Sequence, residues 1–213
     1  MAQHVARATQ TWQPQEYLKF QRQRLRPALE LLARVSELPT THDDSVEIID
    51  LGAGTGNMAP SILGGPTHVT FVDSSASMLA VAQQEHDENE ALDTQRFAYV
   101  QADFGTYRAR TTRGLDILER GAAPGGVLAF QIPDTRLQSS HQRMVDAAAD
   151  LGLSDRVAGV RWVTCEKDPS FYYELFKAVD SGAELDMWAA VYAQILEGDN
   201  PVADFTGSTA IRP

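Results

Sequence analysis

Three glycines at alternate positions, Gly52, Gly54 and Gly56, follow directly on the β-rich run Val46–Leu51. Lacking Cβ atoms, they let the backbone pass close beneath a bound ligand. Asp50 stands two residues before the first of them. Asp73 ends the next apolar run, His68–Val72, and Asp103 follows a third, Phe97–Val100. A carboxylate placed like Asp73 accepts hydrogen bonds from both ribose hydroxyls. The dinucleotide fingerprint needs glycine at its sixth position, where this chain has Asn57. No lysine follows where a phosphate loop requires one, which disfavours nucleotide hydrolysis. Taken singly, the glycines also suit an ordinary strand–helix turn, Asp73 a helix-start acid and Asp103 a loop acid. Their order, each at the end of an apolar run, favours a nucleoside-type cofactor.

Those positions require elements to hold them. Leu18, Leu25, Leu29 and Leu32 share one face of a helix over 15–36, with Arg22, Arg24 and Arg26 interleaved. Val46–Leu51, His68–Val72, Phe97–Val100 and Val127–Ile132 read as strands. A brief helix carrying Pro60 follows the glycines, and Ser75 is an N-cap for a helix with Met78, Leu79 and Val81. Glu85–Glu90 reads as a solvated helix end. Ser139–Leu151 and Pro169–Val179 have helical patterns, and Glu184–Leu196 reads as a strand. Alternating strands and helices predict an α/β sheet, parallel at least in its first half. Ligands in such sheets bind beyond the C-terminal strand ends. Gly52, Gly54, Gly56, Asp73, Asp103 and Gln131 all fall there.

Composition removes other classes. The 213 residues, 43% hydrophobic and 22% charged, suit one domain with a sizeable core. No apolar run approaches the ~20 residues of a membrane span, and the polar start lacks a secretory core. A lone cysteine, Cys165, builds no disulfide framework, no Cys/His cluster has metal-ligand spacing, and a cytoplasmic location is the default. A net charge of -11, with Lys19, Lys167 and Lys177 the only lysines, repels nucleic acid and anionic membranes. The five histidines are scattered, and none is assigned a role.

The pattern Asp-x-Gly-x-Gly-x-Gly at 50–56 resembles the first motif of class I S-adenosylmethionine-dependent methyltransferases. The flanks narrow the resemblance. Tyr17-Leu18-Lys19-Phe20, Arg24-x-Arg26-Pro27 and Leu31–Val35 resemble the N-terminal helix of the trans-aconitate 2-methyltransferases. So do Val72–Ser75, Gln101-Ala102-Asp103, Pro124–Ala129, Gln131-Ile132-Pro133-Asp134, Phe171-Tyr172-Tyr173, Leu185–Trp188 and Thr206–Pro213. The resemblance implies a Rossmann-like class I methyltransferase sheet flanked by helices, in a single domain over 1–213. Residues 1–45 would be a helical substrate-side cap, 46–135 the cofactor-binding core and 136–213 a C-terminal substrate-side part.

It also implies S-adenosylmethionine as cofactor, held by Asp50, Gly52, Gly54, Gly56, Asp73, Ser74, Asp103 and Phe104. Asp50 is available for the ammonium group or for tying the loop. Asp103 can take the adenine amino group, with Phe104 packing on the ring. The implied acceptor is a carboxylate of trans-aconitate or a similar small tricarboxylic acid. An ionised carboxylate needs no general base, so no catalytic residue is assigned and positioning does the chemistry. Arg24, Arg26 and Arg212 are the candidate anchors for the polyanion. Tyr17, Gln131, Tyr173 and Trp188 are candidate wall or hydrogen-bonding groups. A monomer with no metal, nucleic-acid or membrane partner completes the expectation.

One stretch departs from the family. Between Asp103 and Pro124 the only apolar run is Leu115-Asp116-Ile117-Leu118, too little for a strand plus a crossover helix. The sheet is therefore expected to lack its fourth strand, with Thr111–Arg120 a lone helix, and to lack the last strand. Unpaired backbone left in a sheet is costly. The alternative readings are a shortened, weakly active or non-catalytic methyltransferase-like protein, or a methyltransferase with another small acceptor.

Overall fold

The computed structural model describes residues 14–35, 38, 45–62, 67–103, 124–135, 138–158, 165 and 167–208. Contacts divide the chain into two compact units, Met1–Ala129 with Gln194–Pro213, and Phe130–Ala193.

The first unit is built on three parallel strands in the order β1 (Val46–Leu51), β2 (Thr67–Asp73) and β3 (Phe97–Gln101). The central strand alternates polar and apolar residues, and its apolar side chains are buried between its neighbours and the covering helix. Val69, Phe71 and Val72 are fully buried, and Ala53, Ala59 and Leu79 join the same cluster. Phe71 is the hub: its ring stacks on Tyr99 at 5.4 Å and meets Phe97 edge-on at 5.2 Å. Register brings Asp50 beside Phe71 and Asp73 beside Gln101, so the C-terminal ends of all three strands lie along one edge.

Helices α1 (Pro14–Leu18) and α2 (Gln21–Leu32) precede the sheet, α3 (Ala59–Ile62) follows β1, and α4 (Ala76–Asp87) follows β2. α4 starts where the sequence predicts, with Ser75 Oγ accepting the Met78 N–H at 3.3 Å. Its buried stripe is Met78, Leu79, Ala82 and His86, and it packs on β2 and β3.

The helix expected over 15–36 is broken instead at Lys19–Phe20. The cause is local. The Tyr17 carbonyl accepts from Phe20 N–H at 3.3 Å and from Arg24 Nη1 at 2.6 Å, in place of a regular helical bond from Gln21.

Residues 127–132 and 184–196, expected as strands, form none. A strand needs a hydrogen-bonded partner as well as an apolar pattern, and no described strand pairs with either run. The segment 104–123, where the fourth strand and the lone helix were in question, lies outside the described residues.

The second unit carries α5 (Ser139–Asp150), α6 (Ser154–Val157) and α7 (Pro169–Val179), the first and last close to their predicted bounds. Asp168 caps α7, its Oδ1 accepting the N–H groups of Ser170 and Phe171, with Pro169 opening the helix. The Phe130 ring lies 6.0 Å from Tyr172 and 5.8 Å from Phe176. In the first unit, α8 (Pro201–Gly207) meets α2 through Arg24.

Candidate active site

The loop after β1 is pinned from beneath by β2. Gly52 and Ala53 both donate to the Val72 carbonyl, at 2.8 and 3.1 Å. Gly54 N–H donates to Asp73 Oδ2 at 3.0 Å, and Ser75 N–H to Oδ1 at 2.8 Å. Asp73 thus ties the glycine loop to the start of α4, and each oxygen keeps lone-pair capacity for a ligand. Ala102 N–H donates to the Asp73 carbonyl at 2.9 Å, and Gln101 Nε2 to the Ser74 carbonyl at 3.1 Å, bringing the third strand end to the same edge.

Gly56 has φ +66, and a Cβ there would lie 2.5 Å from His86 Cε1. Both the backbone conformation and the space restrict that position to glycine.

Asp50 is half-buried and makes no hydrogen bond within the described chain. Burial first, and the neighbouring Asp73 second, push its carboxyl up to about 6. An unpaired acid in this position is a ready partner for an ammonium group. Thr55 supplies a second open valence: it is 1% exposed and its Oγ1 has no hydrogen-bond partner.

Tyr17 and Arg24 stand on the α1–α2 side, and α1 packs against α4. Tyr17 lies within electrostatic reach of both Asp50 and Asp73. Its hydroxyl is raised above its ordinary value chiefly by burial, while Arg24 opposes the rise. The Arg24 guanidinium sits 4.4 Å over the Tyr17 ring, with Phe205 at 5.1 Å and Phe20 at 5.6 Å. It donates to the carbonyls of Tyr17 and Phe205 and to Ser208 Oγ. No carboxylate among the described residues pairs with it, and burial lowers its affinity for its proton.

The remaining predicted residues are distributed as follows. Arg26 is exposed and pairs with Glu30 at 2.9 Å on the surface of α2. Ser74 and Asp103 are exposed at the strand-end edge. Gln131, Tyr173 and Trp188 belong to the second unit, each exposed. Phe104 and Arg212 lie outside the described residues.

Two participants were not anticipated. His86, 3% exposed, reaches the loop from α4, and Thr55 is buried within it. His86 follows Leu79 and Ala82 at helical spacing, so a polar residue on the core-facing stripe was the available signal.

A parallel sheet whose first strand ends in Asp-x-Gly-x-Gly-x-Gly, with an acid gripping that loop from the second strand, defines an S-adenosylmethionine-dependent methyltransferase of class I. A sequence-family profile described as a methyltransferase domain matches residues 48–116. Curated relatives extend the match along the chain. A trans-aconitate 2-methyltransferase of Streptomyces avermitilis is 33% identical, over 97% of this chain and 81% of that protein. Namesakes from Streptomyces coelicolor (31%; 95% and 71%) and Azoarcus sp. (30%; 95% and 81%) agree. The chain belongs to the trans-aconitate 2-methyltransferase family, whose methyl donor is S-adenosylmethionine. The residues present suit that donor: a half-buried acid at 50 offers a counter-charge for an ammonium group, and glycines at 52, 54 and 56 with positive φ leave the loop open to close approach.

Among the described residues, no helix is long and apolar enough to cross a membrane, and no cluster of acids, histidines or cysteines has metal-binding geometry.

Proposed function

We propose that this chain transfers a methyl group from S-adenosylmethionine to a carboxylate of trans-aconitate or a closely similar small tricarboxylic acid. The observation that carries the acceptor class is Arg24. In a chain with 29 acidic residues and a net charge of -11, the half-buried Arg24 guanidinium has no carboxylate partner among the described residues. Three of the five N–H groups of an arginine are committed here, to Tyr17, Phe205 and Ser208, which leaves two for a ligand. Aromatic rings hold the head group in place, so binding an acceptor carboxylate orders little further.

The names of the relatives support the same acceptor. When bound, the sulfonium donor supplies an electrophilic methyl carbon. That carbon would pass to an acceptor carboxylate oxygen, and the electron pair of the broken S–C bond would stay on sulfur. No proton moves, so the chain needs no general base. Asp50 would hold the donor's ammonium group and Asp73 its ribose. Arg24 would hold the acceptor anion while Tyr17 and Phe20 exclude water. The chain would act as a monomer in the cytoplasm, with Cys165 reduced.

The test is methyl transfer from labelled donor to trans-aconitate, beside citrate and other small acids, with donor binding measured by calorimetry. Transfer to trans-aconitate, giving a base-labile ester, is expected. Arg24→Met should raise the acceptor KM about tenfold or more, as for losing one charged hydrogen-bond partner, with donor affinity unchanged. Transfer only to unrelated acceptors overturns the acceptor class. Donor binding with no turnover selects a non-catalytic protein, the reading favoured by the absence of a strand over 127–132.

A further inference from the structure

His86 lies beneath the donor loop, and its two ring nitrogens are both engaged. Nε2 is 2.8 Å from the Gly56 carbonyl oxygen and Nδ1 is 2.7 Å from the Tyr99 hydroxyl. A carbonyl only accepts, so Nε2 carries the proton. In the neutral ring Nδ1 is then an acceptor, and the Tyr99 O–H donates to it. Tyr99 suits that role because burial first, and Asp87 second, push its hydroxyl up to about 12, so it keeps its proton at neutral pH.

The ring has no room to turn away. Phe71 lies 4.8 Å from it and Phe97 5.3 Å, and His86 is 3% exposed. From above, the Gly56 backbone is so close that a Cβ would sit 2.5 Å from the imidazole.

We propose that His86 is the positioning residue of the donor loop, its Nε2–H fixing the Gly56 carbonyl and the Tyr99 O–H holding the ring in place through Nδ1. The pair links the last turn of α4, the interior of β3 and the final glycine of the loop. It acts through the loop and touches no reacting atom. It rests on the reading of this loop as the donor's seat.

Four chains test it: the unmodified one, His86→Leu, His86→Gln and Tyr99→Phe. Nitrogen NMR of the ligand-free chain reads the ring directly. A protonated Nε2 is expected in the unmodified chain and in Tyr99→Phe, since the Gly56 carbonyl accepts in both. Calorimetry with S-adenosylhomocysteine reads the loop. His86→Leu should weaken binding about tenfold and Tyr99→Phe about threefold, the range of one lost hydrogen bond. His86→Gln retains an N–H near Nε2 and should stay within about threefold of the unmodified chain. Donor KM should rise in the same order with kcat changed less than about twofold, a split that general loss of packing would not give.

A protonated Nδ1 in the unmodified chain overturns the proposal, as do unchanged affinities in both His86→Leu and Tyr99→Phe. If His86→Leu fails to fold, Tyr99→Phe decides by affinity. Failure of the unmodified chain to bind the product would instead overturn the donor-site reading, and the NMR result would still decide the tautomer.

Discussion

Asp50 makes no hydrogen bond among the described residues, and burial first, the like-charged Asp73 second, push its carboxyl up to about 6. Its folded-state value is above that of the unfolded chain. Between pH 3.8 and about 6 the folded state therefore binds more protons, and stability falls as pH rises through that window. Asp50→Asn should raise the melting temperature of the ligand-free chain at pH 7.5 by a few degrees, on the order of 2 kcal/mol, with no gain at pH 3.5. The same substitution should weaken donor binding about tenfold or more, because the donor's ammonium loses its counter-charge. In the unmodified chain donor affinity should fall as pH drops below about 6, and calorimetry at pH 5 and 8 reads this. Gly56→Ala is a second check. A Cβ 2.5 Å from His86, at φ +66, should destabilise the fold by at least about 2 kcal/mol in urea titrations.

The sheet turns on β2, whose Phe71 contacts the rings of His86, Phe97 and Tyr99. Phe71→Ala should cost about 3–5 kcal/mol of unfolding free energy, with donor affinity falling alongside. The strands of this unit were legible as short runs rich in β-branched and aromatic residues with Gly52, Asp73 and Asp103 at or just past their ends, and Ser75 marked the start of α4 by its type alone. Residues 127–132 have the same apolar character, but whether such a run becomes a strand depends on a neighbour elsewhere in the chain. The break between α1 and α2 was invisible for a related reason: it follows from Arg24 taking the Tyr17 carbonyl. In the site, Asp73 stood out in the sequence as an acid at a strand end, whereas its grip on Gly54 across 19 residues came only from the fold. His86 had no motif to announce it, since a buried histidine acquires its role from the groups it meets.

Charge acts on the whole molecule. At a net charge of -11, the chain repels a tricarboxylate at long range, while the proposed Arg24 anchor would attract it only at close quarters. Salt screens the distant repulsion more than a half-buried contact. Raising ionic strength from about 10 to about 150 mM should therefore increase kcat/KM for a tricarboxylate about two- to fivefold, and leave a neutral ester analogue nearly unchanged. A fall with salt would mean that local cations dominate capture. Arg24 has one more consequence. Its partners Phe205 and Ser208 lie 181 and 184 residues further along the chain. During synthesis the early helices must leave the ribosome long before those partners are made. The three-stranded sheet can form meanwhile from nearby sequence, whereas the Arg24 clasp must wait for residues 205–208 to be made, which sets it among the late contacts of folding.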